Sequence, residues 1–469
     1  MRIETGTALD FNAVHYFTFD DLSIILDVNS GSVHVADEDT LKFLDLVKAH
    51  GWERAQTMMA EAVGAGDAAE IADGLAELIE AGLLFSPADF SEYKPHTEPI
   101  VKAMCLHMAH DCNLRCRYCF ADTGAYGGPR GLMSLETAKA ALDFLMKASR
   151  HRTHVEVDFF GGEPLLNFEV CKEAARYGRA LAEKNGKVLK LTLTTNGVLM
   201  TDEVIRWAKD NQIDLVLSLD GRQKVHDYMR PFVGGGPSYD RVIPRYQAFI
   251  DQADEDQWYY MRGTYTHFNT DFAKDVIHMA DDLGFDRLSM EPVVAPADAP
   301  YALTEADKPA LMASYDELTR HYLAAREKGK GYDFYHFNVD FDGGPCLPKR
   351  LVGCGSGHDY LAVSPEGDLY PCHQFVGDEA YKMGTVRDGI VHPEIAEDFQ
   401  KATVLTKPVC MTCWARFNCS GGCHANNIRY GGGLHEPYSF GCDLQRKRIE
   451  CALYLEAKRL LAEEEAGGE

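Results

Sequence analysis

Positive charge is scarce in this 469-residue sequence: 47 Lys and Arg face 72 Asp and Glu, a formal net charge of −25. Phosphate is repelled by such a surface, which argues against nucleic acid as a partner. Long apolar runs are missing too. No stretch is long enough to span a bilayer, and no basic start followed by an apolar run marks a signal peptide. A cytoplasmic protein without a membrane partner is therefore expected. Nor do the fourteen cysteines read as a disulfide framework, because that device belongs to small secreted chains. What is present is an ordinary globular composition, 46% hydrophobic and 25% charged, long enough for two or three domains with full cores.

The acidity is uneven. Residues 1–95 hold 18 Asp and Glu against 5 Lys and Arg, a balance of −13. That is either a solvated face or a docking surface for a basic partner. Within this stretch residues 14–36 read as a β-hairpin. Ile24, Leu26 and Val28 alternate, Asn29–Ser32 supplies a turn, and Val33 and Val35 return. Leu41, Leu44 and Val47 mark a helix. Ile71, Leu75, Leu78 and Ile79 mark another, with Gly82 placed to end it. Residues 86–100, with three prolines, read as a linker.

From about residue 101 to 330, strand and helix patterns alternate. Strands are expected at 102–109, 154–160, 188–195, 213–219, 258–266 and 286–293. Helices are expected at 134–149, 168–184, 201–210, 239–253 and 271–283. Alternation of this kind implies an α/β fold with a parallel sheet, open or barrel-like. Polar residues gather at the C-terminal ends of several strands, where a barrel keeps its ligands. Beyond residue 335 the chain turns irregular and rich in Cys and Gly, with a helix resuming at about Cys442.

Cysteine spacing carries the chemistry. Cys112, Cys116 and Cys119 lie within eight residues just past the first barrel strand. Three thiolates on one loop suit a [4Fe–4S] cube with one iron left open. A zinc site would want a fourth ligand, for which His107 or His110 could serve. Eight further cysteines lie between Cys346 and Cys442, in spacings that fit iron–sulfur clusters or a pair of zinc sites. Cys105 sits in an apolar strand, and Cys171 and Cys451 in helical segments. All three are expected to be small buried hydrophobes.

The C-x3-C-x2-C spacing, with Tyr118 before the third cysteine, resembles the signature of radical S-adenosylmethionine (SAM) enzymes. Its companions follow in order, each at a strand end. Gly161-Gly162-Glu163-Pro164 resembles the family's GGEP motif, which receives the SAM amino group. Thr194 and Asn196, then Ser218 and Asp220, stand where relatives hold ribose and carboxylate. Arg230 is a carboxylate partner on the same resemblance, and Glu291 resembles the last element, near the adenine. The later cysteines resemble a SPASM domain. By position, Cys346, Cys354, Cys372 and Cys423 would hold one auxiliary cluster, and Cys410, Cys413, Cys419 and Cys442 a second. His373 and His424, each next to a ligand cysteine, would donate hydrogen bonds around them rather than bind metal.

The N-terminal unit resembles a RiPP recognition element, a small winged-helix-like domain that takes the leader of a precursor peptide as an added strand. Nearly the whole chain is similar to the SCIFF maturases, thioether-forming enzymes of the ranthipeptide group. Carrying stretches include Val157–Pro164, Tyr370–Phe375 and Cys413–Cys423. This resemblance implies a partial (β/α)6 barrel at 96–335, flanked by a leader-binding unit at 1–95 and a SPASM domain at 336–469. It also implies three [4Fe–4S] clusters, SAM, a cellular one-electron donor and a Cys-rich precursor peptide with a leader. The implied reaction is oxidative thioether formation between a Cys sulfur and an acceptor carbon, such as one of Thr. A carbon–carbon cyclase, a sulfatase maturase and a non-catalytic iron–sulfur redox protein are the alternatives.

Overall fold

The computed structural model describes residues 9–88, 99–253, 257–341 and 347–467. Three antiparallel strands open the chain, β1 (Val14–Phe19), β2 (Leu22–Asp27) and β3 (Val33–Ala36), in spatial order β1-β2-β3. Helices α1 (Glu38–His50), α2 (Trp52–Val63) and α3 (Ala65–Glu80) follow. The hairpin read from the sequence is β2–β3, with Leu26 opposite Val33 and Ile24 opposite Val35. Strand β1 and helix α2 are additions to that reading. Alternation in β1 is blurred by four half-buried or exposed residues, and α2 buries only Ala55 and Met59. Gly82, at φ +70°, lies just past α3 as expected.

Strand periodicity splits this small sheet between two cores. Val14 and Ile25 pack with Phe43, Leu44 and Leu75 under the unit's own helices. Phe19, Ile24 and Leu26 instead join the main core of the molecule. The unit is further pinned by side chains. Arg320 forks onto Asp20 at 2.8 and 2.6 Å, and Lys458 reaches Asp21 at 2.6 Å. His15 stacks on Trp414 with ring centroids 3.6 Å apart. The buried Arg416 donates to Asn12 O at 3.2 Å, Asn29 Oδ1 at 2.6 Å and Cys413 O at 3.0 Å. The expected linker begins anchored. Ser86 is buried and donates both its N–H and its hydroxyl to Asp27, and residues 89–98 lie outside the described set.

Six parallel strands form the centre: β4 (Ala103–Ala109), β5 (His154–Gly161), β6 (Val188–Thr195), β7 (Ile213–Ser218), β8 (Tyr259–Tyr265) and β9 (Arg287–Pro292). They neighbour one another in chain order. Helices alternate with them: α4 (Leu135–Ala148), α5 (Phe168–Lys184), α6 (Asp202–Asp210), α7 (Gln223–Met229), α8 (Tyr239–Ile250), α9 (Ala273–Ile277) and α10 (Lys308–Glu327). Period-2 burial explains the layering. Val155, Val157 and Phe159 of β5 are buried in the helix-covered core, while Glu156, Asp158 and Phe160 face the other side. Helix starts are fixed locally, as where the Ser134 and Thr201 side chains accept from the N–H groups of Thr137 and Val204.

This is the partial barrel the sequence implies, but the sheet does not stop at six strands. Short β10 (Asp333–Phe334) extends it beyond β9. On the other side β11 (Tyr360–Val363) pairs in parallel with β4, followed by β12 (Asp368–Tyr370), β13 (Gly384–Thr385) and β14 (Gly389–Ile390). The cysteine-rich region is thus continuous with the barrel sheet. A 29-residue helix, Ser439–Gly467, closes the chain against α10 and the N-terminal sheet. It starts three residues before the position read from sequence. Among the described residues no helix is long and apolar enough to cross a membrane.

Arg416→Ala removes a buried guanidinium that joins Asn12, Asn29 and the Cys413 carbonyl. Unfolding in denaturant is expected to show a loss of about 1.5–3 kcal/mol, with partial recovery in Arg416→Lys.

Candidate functional site

The three-cysteine loop leaves β4 at Ala109 and is held on two sides. On one side the end of β5 straps it: Gly162 N–H donates to Ala109 O at 2.8 Å and Glu163 N–H to Asp111 O at 2.9 Å. This approach leaves no room for side chains. A Cβ on Gly161 would stand 2.4 Å from Ala109 O, and one on Gly162 would stand 2.1 Å from Asp111 O. On the other side Arg115 N–H donates to Pro231 O at 2.8 Å and Arg117 N–H to Met229 O at 2.9 Å. Cys112, Cys116 and Cys119 are thereby gathered, close enough for each charge to act on the others. Burial, foremost, pushes the thiols of Cys112 and Cys116 up to about 12, with Glu163 adding to it at Cys112 and Arg230 opposing it at Cys116.

The strand-end motifs converge beside this loop. Glu163 is fully buried. Its Oε1 accepts from Thr195 Oγ1 at 2.8 Å and Leu165 N at 3.1 Å, and its Oε2 from Asn196 N at 2.9 Å. No cation among the described residues pairs with it, and burial lifts its carboxyl to about 7 despite those three donors. Asn196 Nδ2 reaches Asn113 Oδ1 at 2.8 Å and Cys112 Sγ at 3.6 Å. Asp220 is also fully buried, but its oxygens are already engaged. They accept from Tyr118 OH at 2.6 and 2.9 Å and Thr264 N at 3.0 Å, and Arg230 Nε stands 3.0 Å away. Tyr118, Asp220 and Arg230 form one unit against Cys116, with the guanidinium 5.4 Å over the Tyr118 ring. Pro164 opens a short turn after Glu163, and Ser218, half-buried at the end of β7, gives its carbonyl to Tyr246 OH at 3.0 Å.

Residues 106–253 match the family model of the Radical SAM superfamily. This segment is a radical SAM domain. The serine-type anaerobic sulfatase-maturating enzyme of Bacteroides thetaiotaomicron is 24% identical over 365 residues, covering 72% of this chain and 85% of the relative. Among solved structures, anSMEcpe with bound AdoMet aligns at TM-score 0.64 and 20% identity, over 76% of this chain and 99% of that one. Streptococcus suis SuiB bound to the precursor peptide SuiA aligns at TM-score 0.53 and 15% identity, over 91% and 98%. These likenesses establish the fold. Membership of the superfamily implies SAM and a [4Fe–4S] cluster, and the radical SAM donor set fits them: three adjacent thiols, and a buried carboxylate lacking a cation.

The remaining cysteines fall into two spatial sets. Cys354, Cys372 and Cys423 act on one another's charge, and so do Cys410, Cys413, Cys419 and Cys442. Cys346 lies outside the described residues. Burial, foremost among several causes, pushes Cys372 and Cys410 up to about 12 and Cys442 to about 11. Between the sets stands Lys407, fully buried, its Nζ donating to Gly421 O at 2.8 Å and facing Cys354, Cys410, Cys419 and Cys423. Burial pulls its ammonium below the usual range, and the neighbouring cysteines of both sets pull it the other way. Among the described residues no His, Cys, Asp or Glu group converges on a single metal ion. Cys171 and Cys451 are fully buried outside these sets, and Cys105, also fully buried, lies close enough to Cys372 for its charge to act on it.

A cavity of about 250 Å3 runs from the end of β9 to the thiols, lined by Glu291, Arg448, Tyr438, Cys419, Cys423 and Cys442. Sequence reasoning reached Glu291 but not its surroundings. Against the upward pull of burial, His336 at 3.1 Å, Arg448 at 3.6 Å and Arg262 at 4.0 Å hold its carboxyl well below the usual range. On the lumen side of β5, Asp158 accepts from Thr194 Oγ1 at 3.3 Å, and burial lifts it to about 7. An acid inside an apolar strand was its only signal. Lys407, His336 and Arg448 gave none, because they occupy no motif position. His373 lies tilted near Phe120 and Phe160. His424 donates Nε2–H to Ala402 O at 3.3 Å, and burial keeps the ring neutral, so its buried, unpartnered Nδ1 carries no proton and can only accept.

Gly162→Ala drives a Cβ into the Asp111 backbone. It is expected to destabilise the fold by about 1–3 kcal/mol or more and to lower iron retention after anaerobic reconstitution. Gly128→Ala, whose Cβ would meet only Ala125 O at 3.7 Å, is the silent control.

Proposed function

We propose that this chain is a radical SAM–SPASM peptide maturase that closes Cys thioether crosslinks in a ribosomally made, Cys-rich precursor. The observation that carries the reading is the cavity joining the end of the radical SAM barrel to two further thiol sets, with Lys407 buried between them. Cys112, Cys116 and Cys119 are assigned to the SAM-binding [4Fe–4S] cluster. Cys354, Cys372 and Cys423 with Cys346 are assigned to one auxiliary cluster, and Cys410, Cys413, Cys419 and Cys442 to the other. With SAM, the first cluster supplies a radical able to take hydrogen from carbon; this is cofactor chemistry.

The chain's own residues bind and orient. Glu163, buried without a cation, is suited to an ammonium such as the SAM amino group, with Gly161, Gly162 and Pro164 holding it in place. Asp220 is assigned to positioning, since it already fixes Tyr118 and Arg230 against Cys116. Arg230 would take the SAM carboxylate. Thr194, Asn196 and Ser218 would meet the ribose and methionine portions, and Glu291 the adenine end. His336 and Arg448 keep Glu291 ionised, so it stays an acceptor.

Residues 1–95 are assigned to leader binding, 96–335 to the radical SAM core and 336–469 to the SPASM region. The free edge of β3 supports the first assignment. Asp27 N–H donates to Ser32 O, so by ladder alternation Val33 and Val35 turn their N–H and C=O groups outward. Val35 and Leu83 are exposed beside that edge. An added strand would find backbone partners there, and the −13 balance would draw a basic leader. A leader site suits a small precursor peptide better than a folded sulfatase.

The test first searches the neighbouring reading frames for a short Cys-rich peptide, whose absence would count against the reading, and then treats that peptide with reconstituted enzyme, SAM and dithionite. Mass spectrometry is expected to show loss of two hydrogens per crosslink and fragments joined at Cys. An unmodified peptide, or a bond between two carbons, contradicts the thioether assignment. Val35→Pro removes one outward N–H without breaking the sheet. It is expected to weaken leader binding about tenfold and leave peptide-free SAM cleavage intact. In the unaltered chain leader affinity is expected to fall as salt rises, since screening acts over about 8 Å at physiological strength.

A further inference from the structure

We propose that an exposed face made by Arg117, Lys224, Tyr228 and Phe268 is the docking surface for an acidic electron-carrier protein. There one electron leaves the carrier, oxidising it, and reduces the cluster assigned to the adjacent cysteine loop. The inference rests on the radical SAM reading of that loop and not on the identity of the peptide.

Charge singles the face out. In a chain of net charge −25, the stretch Cys112–Ala121 carries Arg115 and Arg117 and no acid. Arg117 forms no ion pair among the described residues. Its Nε donates to Tyr228 O at 2.7 Å, and its guanidinium lies 4.5 Å over the Tyr228 ring. Lys224 stands one turn before Tyr228 on α7, exposed and likewise without an ion pair. Phe268 meets the Tyr228 ring edge-on at 5.1 Å, and the two rings are 48% and 44% exposed. Nearby acids are already engaged. Asp227 accepts from the Ser238 and Tyr239 N–H groups, and Asp271 is paired by Arg222 and Lys274.

Position gives the face its purpose. Arg115 and Arg117 donate their backbone N–H groups to Pro231 and Met229, and Leu114 bridges Phe232. The face is therefore one piece with the cysteine loop. Large exposed aromatics bordered by unpaired cations mark a surface that a partner covers. A carrier acidic around its own redox centre would be repelled by most of this molecule and drawn here. The basic leader proposed above would seek the acidic N-terminal unit instead, so the two partners separate by charge.

The experiment measures binding of an acidic flavodoxin to the full-length enzyme by calorimetry, with the altered face expected to bind at least about tenfold more weakly. It also compares two reductants on the reconstituted enzyme, reading 5′-deoxyadenosine. One is dithionite, which needs no docking. The other is an acidic flavodoxin kept reduced by NADPH and its reductase. Lys224→Glu with Phe268→Ser, both outside the cysteine loop, is expected to lower the flavodoxin-driven rate about tenfold or more. Dithionite-driven cleavage is expected to stay within about twofold, and salt is expected to slow only the flavodoxin-driven reaction of the unaltered chain. Equal losses with both reductants, or none with either, would overturn the proposal. A raised KM for the precursor peptide under dithionite would also overturn it, by giving the face to the peptide. Absence of dithionite-driven cleavage in the unaltered chain refutes the radical SAM reading, and the docking falls with it.

Discussion

Everything at the candidate site depends on how closely the end of β5 approaches the loop after β4. Gly162 and Glu163 donate backbone hydrogen bonds to Ala109 and Asp111, at a separation that no side chain on either glycine could survive. That contact fixes the loop carrying Cys112, Cys116 and Cys119. It also buries Glu163 where, among the described residues, Thr195, Asn196 and Leu165 donate to its carboxylate. A carboxylate so placed, with no cation of its own, is poised for a positively charged ligand. Glycine is required here for space, and at Gly161 also for φ +120°.

The same logic recurs at the far end of the molecule. Two thiol sets surround a buried lysine, and a cavity leads from them to the mouth of the barrel. Their strands continue the barrel sheet through β11, so barrel and thiol sets are registered by backbone pairing. The N-terminal unit is equally built in. One face of its sheet belongs to the main core, and Arg416 ties its turn to the Cys410–Cys419 stretch. A leader held on β3 would thus be held at a fixed distance from the chemistry. Removing residues 1–95 would expose Phe19, Ile24 and Leu26 sites in that core, which makes an edge substitution the cleaner probe.

Much of this was legible from residue order. The six barrel strands fall within a residue or two of their alternating patterns, because each has a helix-covered apolar face, of Val, Leu, Ile or Phe in β5 to β7 and of Met, Leu or Tyr in β4, β8 and β9. The helix expected at 271–283 divides, with π-helical hydrogen bonding over 278–282. Strands β10 to β14 were not legible, since two to four residues carry no period. The sets into which the thiols fall in space are those that the SPASM resemblance implied, except for Cys346, outside the described residues; spacing alone would have grouped Cys423 with Cys419. Partners brought from distant elements were invisible: Arg448 on the final helix, His336 near β10 and Lys407 before Cys410 follow no motif. Asp220 and Arg230 were read as direct ligands of SAM. Their mutual pairing, with Tyr118, could be known only once three elements met.

The central claim is that Cys112, Cys116 and Cys119 hold the cluster at which SAM is cleaved, separately from the other thiols. The direct measurement is 5′-deoxyadenosine formation under dithionite, with Mössbauer spectra, for the unaltered chain and for Cys112→Ala/Cys116→Ala/Cys119→Ala. Cleavage is expected to vanish in the triple variant while the iron signals of two other [4Fe–4S] clusters persist. Continued cleavage in that variant, or zinc in place of the remaining iron, would contradict the account.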